Sequence, residues 1–230
     1  NSTPTFVAGP ATQASLPSQP AIDSQGVVGA ALDQPLVQTI SGNGMLSIFG
    51  SRLSGVASVQ EAQSSNLVNS YLPQSLSSTC VDVGGVESYL LYLSKGQINA
   101  VAPLLAPLGQ ASVEVVSNCG QPNEIRSNAV TMPVAPATPE FFLSEHDAKG
   151  PSPVIMVDSQ TGVALKTAHP GELITLYLGG LGVLSGSFEP GLVGLHAESL
   201  ALPIQVSLDG AILPAAAVLY CGATGDAGLY

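Results

Sequence analysis

Composition and charge exclude several classes of partner for this chain. It has 230 residues, of which only 9% are charged, and a formal net charge of −11. Nucleic acids and anionic membrane surfaces are recognised by clustered basic side chains, whereas the five basic residues here lie singly, at Arg52, Lys95, Arg126, Lys149 and Lys166. The longest apolar run, residues 173–184, is shorter than the roughly 20 residues that cross a bilayer. We therefore expect no nucleic-acid partner and no membrane span.

Glycine, proline and cysteine usage favours an all-β protein outside the cytoplasm. The 25 glycines and 18 prolines interrupt long helices, while 45% hydrophobic residues are too many for a disordered chain. The three cysteines form no C-x-x-C pair, which argues against a zinc site. Few charges and cysteines that can pair are typical of secreted, extracellular or cell-surface proteins.

Residues 1–35 differ in kind from the rest of the chain. They are rich in Ser, Thr, Pro, Gln and Ala and have little periodicity. Such composition is typical of an extended polar leader. A second interpretation is that "TPTFVAG" (residues 3–9) is a strand donated to a neighbouring subunit, and both interpretations stay open.

Residues 36–136 predict a first β-sandwich unit. The stretch "LSIFGSRLSGV" (46–56) predicts an alternating strand that runs into glycine and then a leucine, and "VDVGGVESYLLYL" (81–93) predicts a hairpin with a glycine turn. Further strands are predicted near 97–102, 111–118 and 127–135. Residues 137–168 then predict a proline-anchored linker that carries a short hairpin, in which "VIMV" and "VALK" flank "DSQTG".

Residues 169–230 predict a second, incomplete copy of the same unit. "ITLYLGGLGVL" echoes the first run, since Leu176 lies 128 residues after Ile48, and "VSLDGAILPAAAVLY" echoes the hairpin, since Val206 lies 125 residues after Val81. The counterparts of the last three strand segments are missing before Tyr230. Because missing strands leave unpaired backbone beside an apolar face, we expect that the chain continues or that another chain supplies the strand.

The two copies together resemble a known family. "SIFGSRLSG", "DVGGVESYLLYLSKGQINAVAP", "HPGELITLYLGGLG" and "VSLDGAILPAAAVLYCGATGDAGLY" are similar to the duplicated immunoglobulin-like (IPT/TIG-like) C-terminal module of large secreted acidobacterial proteins. The resemblance implies two tandem immunoglobulin-like β-sandwich units, with a glutamine and a strand following "GLY". It assigns no activity and hence no catalytic residue. The three cysteines and the polar insertion at 56–76 depart from the family pattern.

The cysteines predict one disulfide and one unassigned thiol. Cys80 and Cys119 flank predicted strands of the first unit, so a bond between them is geometrically reasonable. Cys221 is then left over. It is either a buried free thiol or the partner of a cysteine in the missing part of the unit or in another subunit.

No residue pattern indicates catalysis, a metal or another cofactor. His146, His169 and His196 share no motif, and "SEHDAKG" (144–150) is typical of a solvated loop. There is no G-x-S-x-G nucleophile motif, and "DSQTG" falls short of the oxygen ligands that calcium requires.

The sequence therefore predicts a non-catalytic extracellular structural or adhesive protein. Few charges and open strand edges favour self-assembly by strand complementation, with residues 1–20 of one subunit pairing near 206–230 of the next. The alternative is a carbohydrate- or surface-ligand-binding module that recognises an extracellular polysaccharide through loops at one end of the sandwich.

Overall fold

The computed structural model describes residues 19–32, 35–105, 109–143, 154–186, 189–194, 198–223, 225 and 227–230. Their regular structure consists of β-strands and two short 3-10 helices. All pairs between named strands are antiparallel. The all-β class predicted from the sequence is confirmed. The predicted donor stretch 3–9 lies outside the described residues.

The first eleven strands build the larger half of the molecule, and a 3-10 helix (Ser64–Asn66) interrupts them. The strands are β1 (Ala21–Gly29), β2 (Met45–Ser51), β3 (Gln60–Glu61), β4 (Ser75–Leu76), β5 (Thr79–Val83), β6 (Val86–Glu87), β7 (Tyr89–Leu93), β8 (Gln97–Val101), β9 (Gly109–Ser117), β10 (Ile125–Arg126) and β11 (Val130–Val134).

These strands form two sheets that share one core. The first sheet has the order β1-β2-β8-β7-β3; the second has the order β10-β9-β5-β4, with β11 also on β9 and β6 also on β5. In β8 and β9 buried residues largely alternate with less buried ones, as period-2 patterning requires. Ile48 and Ile98 of one sheet and Val81, Val83 and Val113 of the other are fully buried in the same cluster. This arrangement is a β-sandwich.

Strand β1 corrects the predicted start of the first unit. The sequence placed residues 1–35 in a polar leader, but Ala21–Gly29 forms an edge strand paired with β2. Its register shifts between Ile22 and Val27. The irregularity inserts Asp-Ser-Gln-Gly between two buried segments, which removes the alternation that identifies a strand.

The second half contains smaller sheets. Its elements are β12 (Glu140–Phe141), β13 (Met156–Asp158), β14 (Ala164–Leu165), β15 (Ile174–Leu176), β16 (Leu178–Gly179), β17 (Ser207–Leu208), β18 (Ala211–Ile212) and a 3-10 helix (Ala215–Ala217). The sheets are β12-β16, β14-β13-β15 and β17-β18. The described residues of this half do not form a second two-layer sandwich, and the two tandem immunoglobulin-like units stay a prediction.

The predicted linker is part of a sheet. Its hairpin is present, with Met156 opposite Leu165 and Val157 opposite Ala164. The same β13, however, also pairs with β15, Val157 lying opposite Thr175. The predicted boundary at residue 169 therefore divides one sheet, because the sequence pattern shows the local hairpin but not its third strand.

The echoed hairpins have the same local structure. Asp82 pairs with Glu87 in the first, and Ser207 pairs with Ile212 in the second, at the predicted separation of 125 residues. Both turns have positive φ at both central residues, Gly84–Gly85 (65° and 87°) and Asp209–Gly210 (50° and 78°). This is the backbone of a type I′ turn, which glycine and aspartate accommodate.

The segments on the C-terminal side of the two hairpins differ in structure. After the first hairpin, β7 pairs with β8 in the sandwich. After the second, the predicted strand is replaced by the 3-10 helix Ala215–Ala217, which Pro214 precedes. Alanine has low strand propensity, and no described strand pairs with this segment.

Candidate functional site

One edge of the β17–β18 hairpin has no partner among the described residues. In the first half, β5 pairs with β6 along one edge and with β9 along the other. The β9 edge includes Val81 opposite Val115 and Val83 opposite Val113. In the second half β17 pairs with β18, and no described strand occupies the position of β9. Unpaired strand edges are sites where a further strand can add.

The side chains of the second hairpin are exposed, although they are apolar. Leu208 is 70% exposed and Ile212 63%. The position in the first hairpin that corresponds to Leu208 is Val83, which is 0% exposed. Burying a side chain of this size stabilises a protein by about 1.5–3 kcal/mol, so covering this surface is favourable.

A hollow of about 400 Å³ lies against the same hairpin. Three of its lining residues, Val206, Ala215 and Val218, correspond to Val81, Leu90 and Leu93 of the first half at the separation of 125 residues. Those three residues of the first half are fully buried in the sandwich core. The hollow is thus the counterpart of a core that β9 and its neighbours fill in the first half.

This surface carries almost no charge. Residues 199–223 contain a single charged side chain, Asp209, which lies in the hairpin turn. Natural proteins block open strand edges with charged residues, with lysine in particular, or with proline. The edge residues Val206, Ser207 and Leu208 offer none of these, so a strand can add without a charged side chain being buried.

Tyr230 holds the second half against the first. Its backbone pairs with Leu178, with N–O distances of 2.9 and 3.0 Å. Its hydroxyl accepts a hydrogen bond from Asn43 Nδ2 at 2.8 Å and donates one to the carbonyl oxygen of Gly182. Burial raises the pKa of Tyr230 to about 12, because removal from water disfavours the phenolate.

The "GGLG" motif (179–182) lets the two backbones approach closely in this contact. Gly180 and Gly182 have φ values of 69° and 90°. A Cβ on Gly180 would lie 2.1 Å from the carbonyl oxygen of Thr138, and one on Gly182 would lie 2.4 Å from that of Pro136. Only glycine permits such close approach of two backbones.

A second cleft lies where residues 189–193 meet the first sheet. The rings of Tyr71 and Tyr89 stack at 6.0 Å, and the Tyr71 hydroxyl donates to Glu189 Oε2 at 2.6 Å. That hydrogen bond raises the pKa of Tyr71. The backbone of Gly191 covers the ring of Tyr89, since a Cβ there would lie 2.2 Å from the ring. Neighbours therefore occupy much of the aromatic surface that a sugar ring would need.

The structure contains the disulfide predicted from sequence. Cys80 and Cys119 are bonded, with their Cα atoms 5.9 Å apart. Glu87 lies nearby, with Oε1 3.8 Å from the Cys119 sulfur. Among the described residues, these three side chains form the one group whose ligand atoms are close enough to hold a metal ion. The two sulfurs, however, are bonded to each other and are not the thiolates that metals require.

Cys221 is unpaired within the chain and partly buried. Burial raises the pKa of its thiol, which lowers its reactivity at neutral pH. It packs against a small cluster that includes Leu181 and Tyr230. An intermolecular bond at this residue stays a prediction.

The remaining candidate residues that the structure describes do not form a group of potential metal ligands. His169 pairs with Glu172 on the surface, 3.1 Å apart. Asp158 in "DSQTG" accepts bonds from Thr161 Oγ1 and from the backbone of Thr161 and Gln160, and these bonds lower its pKa. His146 and His196 lie outside the described residues.

Within the described residues no helix has the length and apolarity that crossing a membrane requires. Comparison of the chain with protein-family models finds no match. Comparisons with curated proteins and with solved structures find none either.

Proposed function

We propose that this chain is a non-catalytic extracellular structural or adhesive protein whose copies join by strand complementation. The observation that carries the proposal is the apolar β17–β18 hairpin, whose open edge corresponds to an edge that β9 covers in the first half. The disulfide supports an oxidising location outside the cytoplasm.

The donor in this proposal is the N-terminal segment of a neighbouring subunit. The sequence prediction used residues 1–20, of which 1–18 lie outside the described residues. Gln19 already bonds within its own chain, donating to the Arg126 carbonyl at 2.6 Å and accepting from Arg52 at 3.1 Å. A donor segment therefore ends before Gln19. Head-to-tail donation of this kind builds filaments or rings.

Two variants test the proposal. Deletion of residues 1–18 removes the donor, and Leu208→Asp places a charge on the acceptor edge. Val163→Asp is the matched control, since Val163 is also exposed (60%) but lies on another hairpin. Light scattering and electron microscopy should show assemblies for the wild type and the control, and monomers for both test variants. Monomeric wild-type protein at every concentration, or assemblies in both test variants, would refute the proposal.

The cleft beside Glu189 favours a second candidate, recognition of an extracellular polysaccharide. Its open volume of about 340 Å³ is lined by the polar side chains of Gln74, Glu87 and Glu189 and by Tyr89, a combination suited to hydroxyl groups. Saturable glycan binding by a monomer, weakened by Glu189→Gln, would support this function. We rank it second because Gly191 covers a face of the Tyr89 ring.

A further inference from the structure

The disulfide of the first sandwich lies beside a carboxylate. The ligand atoms of Cys80, Cys119 and Glu87 all lie within 4.8 Å of one another. Glu87 Oε1 is 3.8 Å from the Cys119 sulfur. Among the described residues no basic side chain forms an ion pair with Glu87. The carboxylate therefore brings to the two sulfurs a negative charge that no described cation neutralises.

The backbone positions the two cysteines independently of the bond between them. Cys80 lies in β5, opposite Val116 of β9. Cys119 follows β9, and its backbone N–H donates to the carbonyl oxygen of Ser78 at 3.0 Å. Because five residue pairs join β5 to β9, we expect the Cα atoms of the two cysteines to stay close to their separation of 5.9 Å when the disulfide is absent.

The dithiol state of this pair has the chemistry of a zinc site. Each chain passes through that state before its disulfide forms, and reduction restores it. Thiolates and carboxylates are both zinc ligands, and in tetrahedral coordination, with Zn–S distances of about 2.3 Å, two sulfurs lie about 3.8 Å apart. Rotation of the two cysteine side chains about their Cα–Cβ bonds brings the sulfurs to that spacing, because the strands leave the Cα atoms where they are.

We infer that in the dithiol state Cys80, Cys119 and Glu87 bind one Zn²⁺ ion, and that the bound ion and the disulfide exclude each other. Binding forms two Zn–S bonds and one Zn–O bond, and the two thiols release their protons to water. Cys80 is buried, whereas Cys119 is partly exposed and Glu87 is exposed, so the ion enters from the side of these two residues and water takes its fourth position.

The sequence does not reveal this group because its members are far apart in the chain. Cys80 and Cys119 are separated by 39 residues and form no C-x-x-C pair. They come together through the pairing of β5 with β9, and Glu87 joins them from β6, which pairs with the other edge of β5.

The test uses the full chain with Cys221→Ser, which leaves Cys80 and Cys119 as its two cysteines. The protein is reduced with a phosphine, freed of the reductant in the absence of oxygen, and titrated with Co²⁺ as a spectroscopic substitute for zinc. A charge-transfer band from thiolate to cobalt should appear in the near ultraviolet and saturate at one ion per chain, and Zn²⁺ should abolish it by displacement. In calorimetry the reduced protein should bind one Zn²⁺ and the disulfide-bonded protein none at this group.

Two variants separate the carboxylate ligand from the overall negative charge of the chain. Glu87→Gln removes the inferred oxygen ligand. Glu61→Gln is the matched control, since Glu61 is also exposed but lies in β3 of the other sheet. Loss of a side chain that only supports a metal ligand weakens binding about 10- to 100-fold. Glu87→Gln should therefore raise the Kd for Zn²⁺ at least about tenfold, whereas Glu61→Gln should leave it unchanged.

Stability measurements show whether the ion is held by the folded chain. Saturating Zn²⁺ should raise the urea midpoint of the reduced protein, or restore its circular dichroism if reduction unfolds it, because an ion bound by the native arrangement stabilises that state. The disulfide-bonded protein should show no change.

Four results would each overturn the inference. They are absence of the cobalt band in the reduced chain, folded or unfolded; equal zinc affinity of the reduced and disulfide-bonded proteins; equal affinities of Glu87→Gln and Glu61→Gln; and zinc binding that leaves the stability of the reduced chain unchanged.

Discussion

The buried hydroxyl of Tyr230 predicts a specific loss of stability at alkaline pH. The neutral phenol is favoured in the folded state, where its pKa is about 12 against an ordinary value of 10.0. The stabilisation is therefore fully present below pH 10 and is lost as the pH rises through 12. A pKa difference of two units contributes about 2.7 kcal/mol at most to the free energy of unfolding. About 1.4 kcal/mol of this contribution is lost by pH 11.

Tyr230→Phe isolates this effect. The substitution removes the bonds to Asn43 and Gly182 and should cost about 1–3 kcal/mol at pH 8, because buried polar partners lose their hydrogen bonds. Phenylalanine does not titrate, so the stability gap between wild type and variant should narrow by about 1.4 kcal/mol between pH 8 and pH 11.

Urea unfolding at pH 8, 9.5 and 11 measures the gap. Both proteins carry Cys221→Ser, since a free thiolate attacks disulfides at alkaline pH. Other tyrosines titrate in both proteins and cancel in the difference. A gap that stays constant from pH 8 to pH 11 would refute the assignment of the raised pKa to a buried Tyr230 hydroxyl.

Two further predictions concern the disulfide and the glycine motif. Replacing Cys80 and Cys119 by alanine should lower the free energy of unfolding by about 4 kcal/mol, because the bond spans 39 residues; a loss below about 1 kcal/mol in urea unfolding would contradict this. Gly182→Ala should destabilise by at least about 1 kcal/mol more than Gly171→Ala in thermal unfolding. Both glycines have a φ of 90°, but a Cβ on Gly182 would lie 2.4 Å from the carbonyl oxygen of Pro136, whereas nothing lies within 4 Å of a Cβ on Gly171. Equal losses of stability would therefore mean that backbone strain alone determines the cost.

The hairpins of both halves and the long strand β9 were predictable because their signals are local. "VDVGG" and "VSLDG" predict hairpins from turn residues and alternation alone, and both hairpins are present. The long alternating run 111–118 corresponds to β9, and its inward side chains are those of the alternate pattern. The cysteines at the ends of these strands are near each other because β5 and β9 are neighbours.

The long-range hydrogen bonds of the candidate sites could not be predicted in this way. The contact between Tyr71 and Glu189 joins residues 118 positions apart, and neither lies in a motif. The same holds for Asn43 and Tyr230, which are 187 positions apart. The one signal available in sequence was the glycine-rich "GGLG", whose positive φ values and close contacts show a docking role.

The sequence by itself determined the all-β class, the turns and the repeated hairpin, since turn chemistry and period-2 alternation act over a few neighbouring residues. Only the tertiary structure decided that residues 21–29 join the first sheet, that the linker hairpin pairs with β15, and that Leu208 is exposed while its counterpart Val83 is buried. The physical reason is that strand partners and burial depend on distant segments. Two hairpins of the same local form therefore differ in exposure according to whether a strand such as β9 lies beside them.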